Sequence, residues 1–231
     1  MTASQAHGRP ILVIDTATTR AVVGVADADG RLVAEDSWIA GYRHGEELLV
    51  RVDGALAAAR LRLVDLGAVV VGIGPGAFTG LRVGLATAKG LAHGLGIPIV
   101  GLPTGSMLLA ALGDDAASPE PLALLLPAGP SDRIVVDPER RPRLVPGGQE
   151  PELDPAWTIA AVDLAGRAPE DALARGERAR DGLAAALART GAERLRSGDA
   201  SDLATLVPEY VTLPRGVREE VGAMAWSRDP R

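Results

Sequence analysis

The stretch VVVGIGPGAFTGLRVGLATAKGLAHGLGIPIVG, residues 69 to 101, constrains this chain more than any other, because it sets nine glycines between and around two apolar runs. AVVVGI (68–73) and IPIVGL (97–102) read as buried strands. Between them a helix is expected, capped by Thr79 and running to about His93, with Gly94 and Gly96 as stop signals. Glycine inside a helix costs roughly 1 kcal/mol relative to alanine, so its repeated use needs compensation. Gly80, Gly84, Ala88 and Ala92 recur every four residues, and Ala86, Gly90 and Gly94 make a second small row. Rows of this kind let another backbone approach closely. That backbone is either the helix expected at 44–61 or another chain. Helix-end amides after a glycine turn can also meet an anion. However, the turn lacks the Lys-Ser/Thr ending of a Walker loop and the spacing of the dinucleotide fingerprint, and Arg82 and Lys89 come only later, on the helix. Internal packing, partner docking and phosphate contact all stay open.

The elements around this unit extend the pattern. ILVID (11–15), AVVGVAD (21–27) and RLVAEDSW (31–38) read as strands, the last two joined by an Asp29-Gly30 hairpin. HGEELLVRVDGALAAARL (44–61) places Leu48, Val52 and Leu56 on one helical stripe, and a further helix is expected through SMLLAAL (106–112). The resulting order, β-β-β-α-β-α-β-α, is that of a ribonuclease H-like lobe. The fold class expected is α/β, of the ribonuclease H-like or actin-like (ASKHA) kind, with two lobes: residues 1–106 and a smaller one at 107–231. In the second half, 121–129, 132–137 and 157–164 read as strands, 138–155 as a proline-rich loop and 169–191 as a helix. VPEYVTLPRG (207–216) reads as a final strand or an extended tail.

Composition narrows the chemistry. At 231 residues and 47% hydrophobic the chain can bury a core, and with 3% aromatics that core must be built from Ala, Val, Leu and Ile. The absence of cysteine excludes disulfides, thiolate metal sites and a cysteine nucleophile, and His7, His44 and His93 have no metal-ligand spacing. Net charge is -6, with nine basic and nine acidic residues before residue 107 and the acidic excess after it. Such totals do not advertise a surface that binds an RNA backbone by itself. MTASQAHGRP lacks a leader pattern and no apolar run approaches the length of a membrane span, so a cytoplasmic protein is expected.

Asp15 ends the first strand, where nucleases of this fold hold a metal, but no neighbouring strand end supplies a second acid. Capping of the TATT turn is its other role. In ATP-binding relatives of the fold this turn meets phosphate, which gives Thr16, Thr18 and Thr19, together with Asp15, Gly74, Gly76 and Thr79, a claim to nucleotide contact. On that claim rests the alternative reading, an ATP-dependent phosphotransferase. His44 reads as a helix-start residue, and no catalytic partner for it is identifiable. A glycoprotease-like hydrolase would need a metal or a nucleophile, and neither is identifiable.

Three stretches, ILVIDTATTRAVVGV, HGEELLVRV and above all GIGPGAFTGLRVGLATAKGLAHGLGIPIVGLPT, resemble the TsaB (YeaZ) family over roughly residues 10–112. VPEYVTLPR fits the family's C-terminal segment more loosely. The resemblance implies a cytoplasmic bacterial protein needed for N6-threonylcarbamoyladenosine next to the anticodon of tRNAs. It implies a subunit without catalytic residues or metal, paired with a TsaD-like transferase, joined by a TsaE-like ATPase and meeting tRNA only through the complex. It implies no cofactor of the chain's own, with ATP or ADP and Mg at the level of the complex, and no membrane. Pairing would use the two N-lobe helices, with His44, Leu48, Val52, Leu56, Gly80, Arg82, Gly84 and Ala88 at the interface, and the isolated chain would form a homodimer through the same surface. TsaD-like proteins carry a His-x-x-x-His pair after the fifth strand; the aligned positions here are Thr104 and Leu108. The family's usual opening of the second lobe has no counterpart in LLLPAGPSDRIVVD, so a remodelled C-terminal lobe is expected.

Overall fold

A computed structural model describes residues 8–41, 43–113 and 121–211; the side chain of His44 lies outside the described residues, as do residues 212–216 of the expected tail. Continuous apolar runs build the centre of the first sheet. β1 (Ile11–Asp15) is its centre, antiparallel to β2 (Arg20–Ala26) and parallel to β4 (Ala68–Gly72). β3 (Leu32–Ile39) and β5 (Ile99–Leu102) complete the order β3-β2-β1-β4-β5. The β2–β3 turn is closed by Asp27, whose Oδ1 accepts the Asp29 and Arg31 amides, and by Gly30 at φ 84°, a conformation glycine adopts without a Cβ penalty.

Along β1, Ile11 and Val13 face one side while Leu12 and Ile14 face the other, so the sheet has two cores. Helices α1 (His44–Ala58) and α2 (Phe78–Leu95) cover the Leu12 side. The helix expected to begin at Thr79 begins at Phe78, with Ala77 at the N-cap and no side-chain cap, because the preceding turn is fixed by Ala17 O accepting the Ala77 amide at 2.7 Å. It stops at Gly96, which is left-handed at φ 64°.

The second sheet repeats the first in abbreviated form. β6 (Leu122–Pro127), β7 (Arg133–Val136) and β8 (Pro142–Val145) form an antiparallel meander, and β9 (Thr158–Ala161) returns parallel to β6, in the order β8-β7-β6-β9. Each sheet therefore runs third-second-first-fourth strand, which is the two-lobed ribonuclease H-like, actin-like arrangement. The stretch 138–155, expected to be loop throughout, contains β8, whose pairing with β7 outweighs its prolines; Pro142 sits at the first residue of an edge strand, where no ladder amide is needed.

α3 (Thr104–Gly113) and α5 (Leu183–Arg196) fill the space between the sheets, while α4 (Glu170–Asp181) reaches it with Ala179 and turns Ala172 to the other face of the second sheet. The single helix expected at 169–191 is two helices, broken at Gly182, where a Cβ would crowd Ala111. After α5 the chain returns as a strap along β5: Ser201 bridges Ile99, and the Glu209 amide donates to Ile73 O at 2.7 Å. Among the described residues no helix is long and apolar enough to cross a membrane.

Candidate functional site

Two places on the molecule could carry function: the turn-lined cleft between the lobes, and the outer face of α1 and α2.

At the cleft, the turn after β1 is knitted inward. Asp15 is 1% exposed; its Oδ1 accepts the Ala17 amide at 2.8 Å and its Oδ2 accepts the Thr104 hydroxyl at 2.7 Å. Thr104 Oγ1 in turn accepts the Gly74 amide at 3.0 Å. Burial pushes the Asp15 carboxyl up to about 6, against the opposing pull of these two donors. Thr16 is 1% exposed and donates to Gly80 O at 2.7 Å. The glycines make these approaches possible: a Cβ on Gly72 would strike Asp15, on Gly76 the Ala17 carbonyl, and on Gly84 the Thr16 hydroxyl. Of the residues with a claim to nucleotide, Asp15, Thr16 and Gly74 are thus buried and engaged within the chain. Thr18 is buried and donates to Arg20 O, Gly76 is pressed on Ala17, and Thr19 and Thr79 are exposed, Thr19 with its amide bonded to Asp163. The cleft itself, about 600 Å³, is walled by Ala17, Pro75, Phe78, Leu126 and Ile134, and its charged groups are Asp163 and Glu209. Desolvation raises the Glu209 carboxyl. Asp163 closes the back of the cleft by accepting from the Thr19 amide at 2.8 Å and from Arg180 at 2.6 Å. The described residues that line this space include no cation; Arg180 and Arg82 adjoin it through Asp163 and Phe78, the first held by that carboxylate.

On α1 and α2 the expected interface residues need correction. Leu48, Val52, Leu56, Gly80, Gly84 and Ala88 are buried, because this stripe is the one that packs onto the sheet and onto the Thr16 turn. Arg82 is the member of the set that faces out. The first small row is therefore internal packing. The second is not: Ala86, Gly90 and Gly94 are exposed, and a Cβ at Gly90 or Gly94 would meet nothing within 4 Å. On the adjoining helix, the outer side of α1 shows Leu49 at 56% and Val50 at 70% exposure, followed by exposed Asp53, Gly54 and Ala57. A helix apolar on both sides is one that has two surfaces to cover. Among the described residues no three His, Asp or Glu side chains gather as a metal would require.

Comparison with known proteins falls on the same region. The family profile described as TsaD, tRNA N6-adenosine threonylcarbamoyltransferase, matches residues 38–149, a span that contains both helices. An uncharacterised Mycobacterium leprae protein is 47% identical over 95 residues, 40% of this chain and 26% of that protein. The tRNA threonylcarbamoyladenosine biosynthesis protein TsaB of Escherichia coli is 37% identical over 94 residues, 41% of this chain and 40% of that protein. The structure of YeaZ from Pseudomonas aeruginosa superposes with a TM-score of 0.64 at 20% identity, covering 87% of this chain and 99% of that one. Over that stretch the chain is similar to TsaB, and its fold is that of the YeaZ structure. The matched stretch spans about a quarter to under half of the curated relatives' lengths, 26% and 40% in these two cases.

The two positions expected to align with the transferase histidines have other duties here. Thr104 is 0% exposed and joins Asp15 to the glycine turn, while Leu108 is 0% exposed in the core between the sheets. Sequence reasoning missed Leu49 and Val50, although they stand directly beside the stripe it used; asking which α1 residues remain once Leu48, Val52 and Leu56 face inward would have found them. It also missed Asp163, Arg180 and Tyr210, which reach the cleft from far along the chain and carry no local signal.

Proposed function

We propose that this chain acts in tRNA threonylcarbamoyladenosine biosynthesis as a non-catalytic subunit that pairs with a TsaD-like transferase through the outer face of α1 and α2. The observation that carries the reading is that face: exposed Leu49 and Val50 beside a bare row at Ala86, Gly90 and Gly94, inside the region shared with the family profile. Helices with glycine and alanine outermost admit a neighbouring helix at short interaxial distance, which increases packing contacts. The non-catalytic part rests on the cleft, whose turn spends Asp15, Thr16 and the Gly74 amide on internal hydrogen bonds. A TsaE-like ATPase, tRNA bound through the complex, and a homodimer on the same face when no transferase is present all follow from the same reading.

The test is the mass of the complex. Light scattering of the full chain mixed with the TsaD-like protein of its own genome should give a heteromeric species, and Gly90→Leu should abolish it without lowering the melting temperature. Threonylcarbamoyladenosine formed by the purified chain alone, without the transferase, would defeat the scaffold reading.

A further inference from the structure

Along α2, Phe78, Arg82, Ala86, Gly90 and Gly94 follow one another every four residues, and all five are exposed. They form one ridge of the helix, an aromatic and a cation at its start and then three bare positions. The start of the ridge is built with care. The Arg82 guanidinium lies over the Phe78 ring at 3.6 Å from its centroid, and its Nε donates to the Tyr210 hydroxyl at 3.0 Å. The Phe78 and Tyr210 rings are 5.4 Å apart, and Arg82 is also 5.9 Å from the Tyr210 ring. Tyr210 is held in turn by the strap, which the Glu209 amide pins to Ile73 O and Lys89 pins through Leu206 O at 3.0 Å. A chain with a single phenylalanine and two tyrosines thus spends two of these rings on orienting one exposed arginine. No carboxylate among the described residues forms an ion pair with Arg82, and Nε is its one hydrogen-bonding nitrogen there.

We propose that Arg82, clamped by Phe78 and Tyr210, is the anchor of the partner face and receives an aspartate or glutamate from a helix of the partner laid along Ala86, Gly90 and Gly94. This rests on the pairing reading above and adds the chemistry of the partner. A guanidinium stacked on one side and fixed at Nε still presents its terminal nitrogens as a planar fork, the geometry that matches a carboxylate at two points. A carboxylate fits better than a phosphate because the ridge continues as bare helix rather than as basic surface. The chain as a whole carries -6, which opposes a polyanion far more than a single carboxylate. Rigid Arg and Tyr side chains at the edge of a small-residue patch also lose little freedom on binding, which is the profile of an interface hot spot.

The experiment measures dissociation constants between the full chain and its TsaD-like partner by calorimetry at 50 and 300 mM salt. Arg82→Ala should weaken binding about 10- to 100-fold and flatten its salt dependence. Arg82→Lys should recover only part of the loss because it restores the charge without the stacked fork, and Tyr210→Phe should cost a few-fold by removing only the clamp at Nε. An Arg82→Glu variant should be rescued by an Asp or Glu to Arg change on the partner helix. If the parent chain binds, Ala86→Leu abolishes binding and Arg82→Ala leaves it unchanged, the anchor is refuted while the pairing stands. If the parent chain does not bind, both fall. If Arg82→Ala lowers only tRNA cross-linking to the assembled complex, the ligand is a phosphate and the inference is wrong.

Discussion

Replacing Asp15 by asparagine separates a structural carboxylate from a chemical one, and the structure sets the size of the effect. Asp15 is 1% exposed at the end of β1, and burial outweighs the help of the Ala17 amide and the Thr104 hydroxyl, raising its carboxyl from 3.8 to about 6. A carboxyl whose folded value is raised holds its proton more tightly in the native state than in the unfolded one. Its contribution is therefore fully present below pH 3.8 and is lost as pH climbs through about 6. At 1.36 kcal/mol per pH unit the loss is about 3 kcal/mol.

The asparagine has no such proton to lose. Its amide oxygen can still accept the Ala17 amide, and its NH2 can donate to Thr104 Oγ1 once that hydroxyl turns its proton away. The difference in unfolding free energy, Asp15→Asn minus parent, should therefore climb by about 2.4 kcal/mol between pH 4 and pH 7 and be level above that. Urea titrations at half-unit steps measure it directly. Glu35 and Glu209, also raised by desolvation, are present in both proteins and cancel in the difference. The exposed carboxylates of Asp65, Asp171 and Asp199 are lowered and titrate below this window. A difference that stays flat across pH 4 to 7 would refute the burial argument. So would a variant as stable as the parent at pH 7 that had lost tRNA modification in cells, since Asp15 would then be acting on a substrate.

Two glycines of α2 should respond oppositely to alanine. Gly90→Ala should raise stability by about 0.5–1 kcal/mol, because its Cβ meets nothing, whereas Gly84→Ala should lower the melting temperature by several degrees through collision with Thr16; like signs would undo the division of the helix into an inner and an outer row. Asp163→Ala should destabilise toward the low end of the about 3–5 kcal/mol expected when a buried ion pair loses one member, because among the described residues Arg180 then keeps only Glu177 as a carboxylate partner; denaturant titration reads it, and a loss under about 1 kcal/mol would mean that the pair is effectively solvated. Expressed alone, residues 1–113 should unfold without cooperativity, since Ile11, Val13 and Val70 lose the cover of α5; a sharp thermal transition of that fragment would contradict the shared core.

How much of this was legible in the sequence follows from how local each cause is. The strands of the first sheet announce themselves because both faces are covered, so ILVID and AVVVG are apolar at nearly every position. The hairpin at Asp29-Gly30 and the helix stop at Gly96 need only the residues beside them. β8 was illegible because its stability comes from the ladder to β7 and not from its own proline- and arginine-rich residues. The helical rows are legible as close-approach surfaces, but periodicity alone does not say which row meets which neighbour. The answer lies at Thr16, sixty-eight residues before Gly84 and joined to it only by the parallel return of β4 beside β1.

The division of labour between the two sheets has a physical reason as well. A crossover helix is the usual way for a parallel strand to return, and the first sheet has one in α1. Between β8 and β9 the described chain crosses without one, and the outer face of the second sheet is closed instead by Leu153, Ala168, Ala172 and Leu173 from a loop and from α4. A sheet with so thin a cover gains most by burying its other face well. That is where α3 and α5 lie, with Gly191 allowing α5 to press against Val70 of the first sheet. The second lobe is thereby tied to the first through the layer between them, leaving the opposite side of the first sheet, α1 and α2, as the surface free to meet another protein. The strap holds α2 in place through Lys89 and Leu206 O, and under the proposed pairing that matters, because a helix with glycine and alanine outermost docks well only if its backbone is already where the partner needs it.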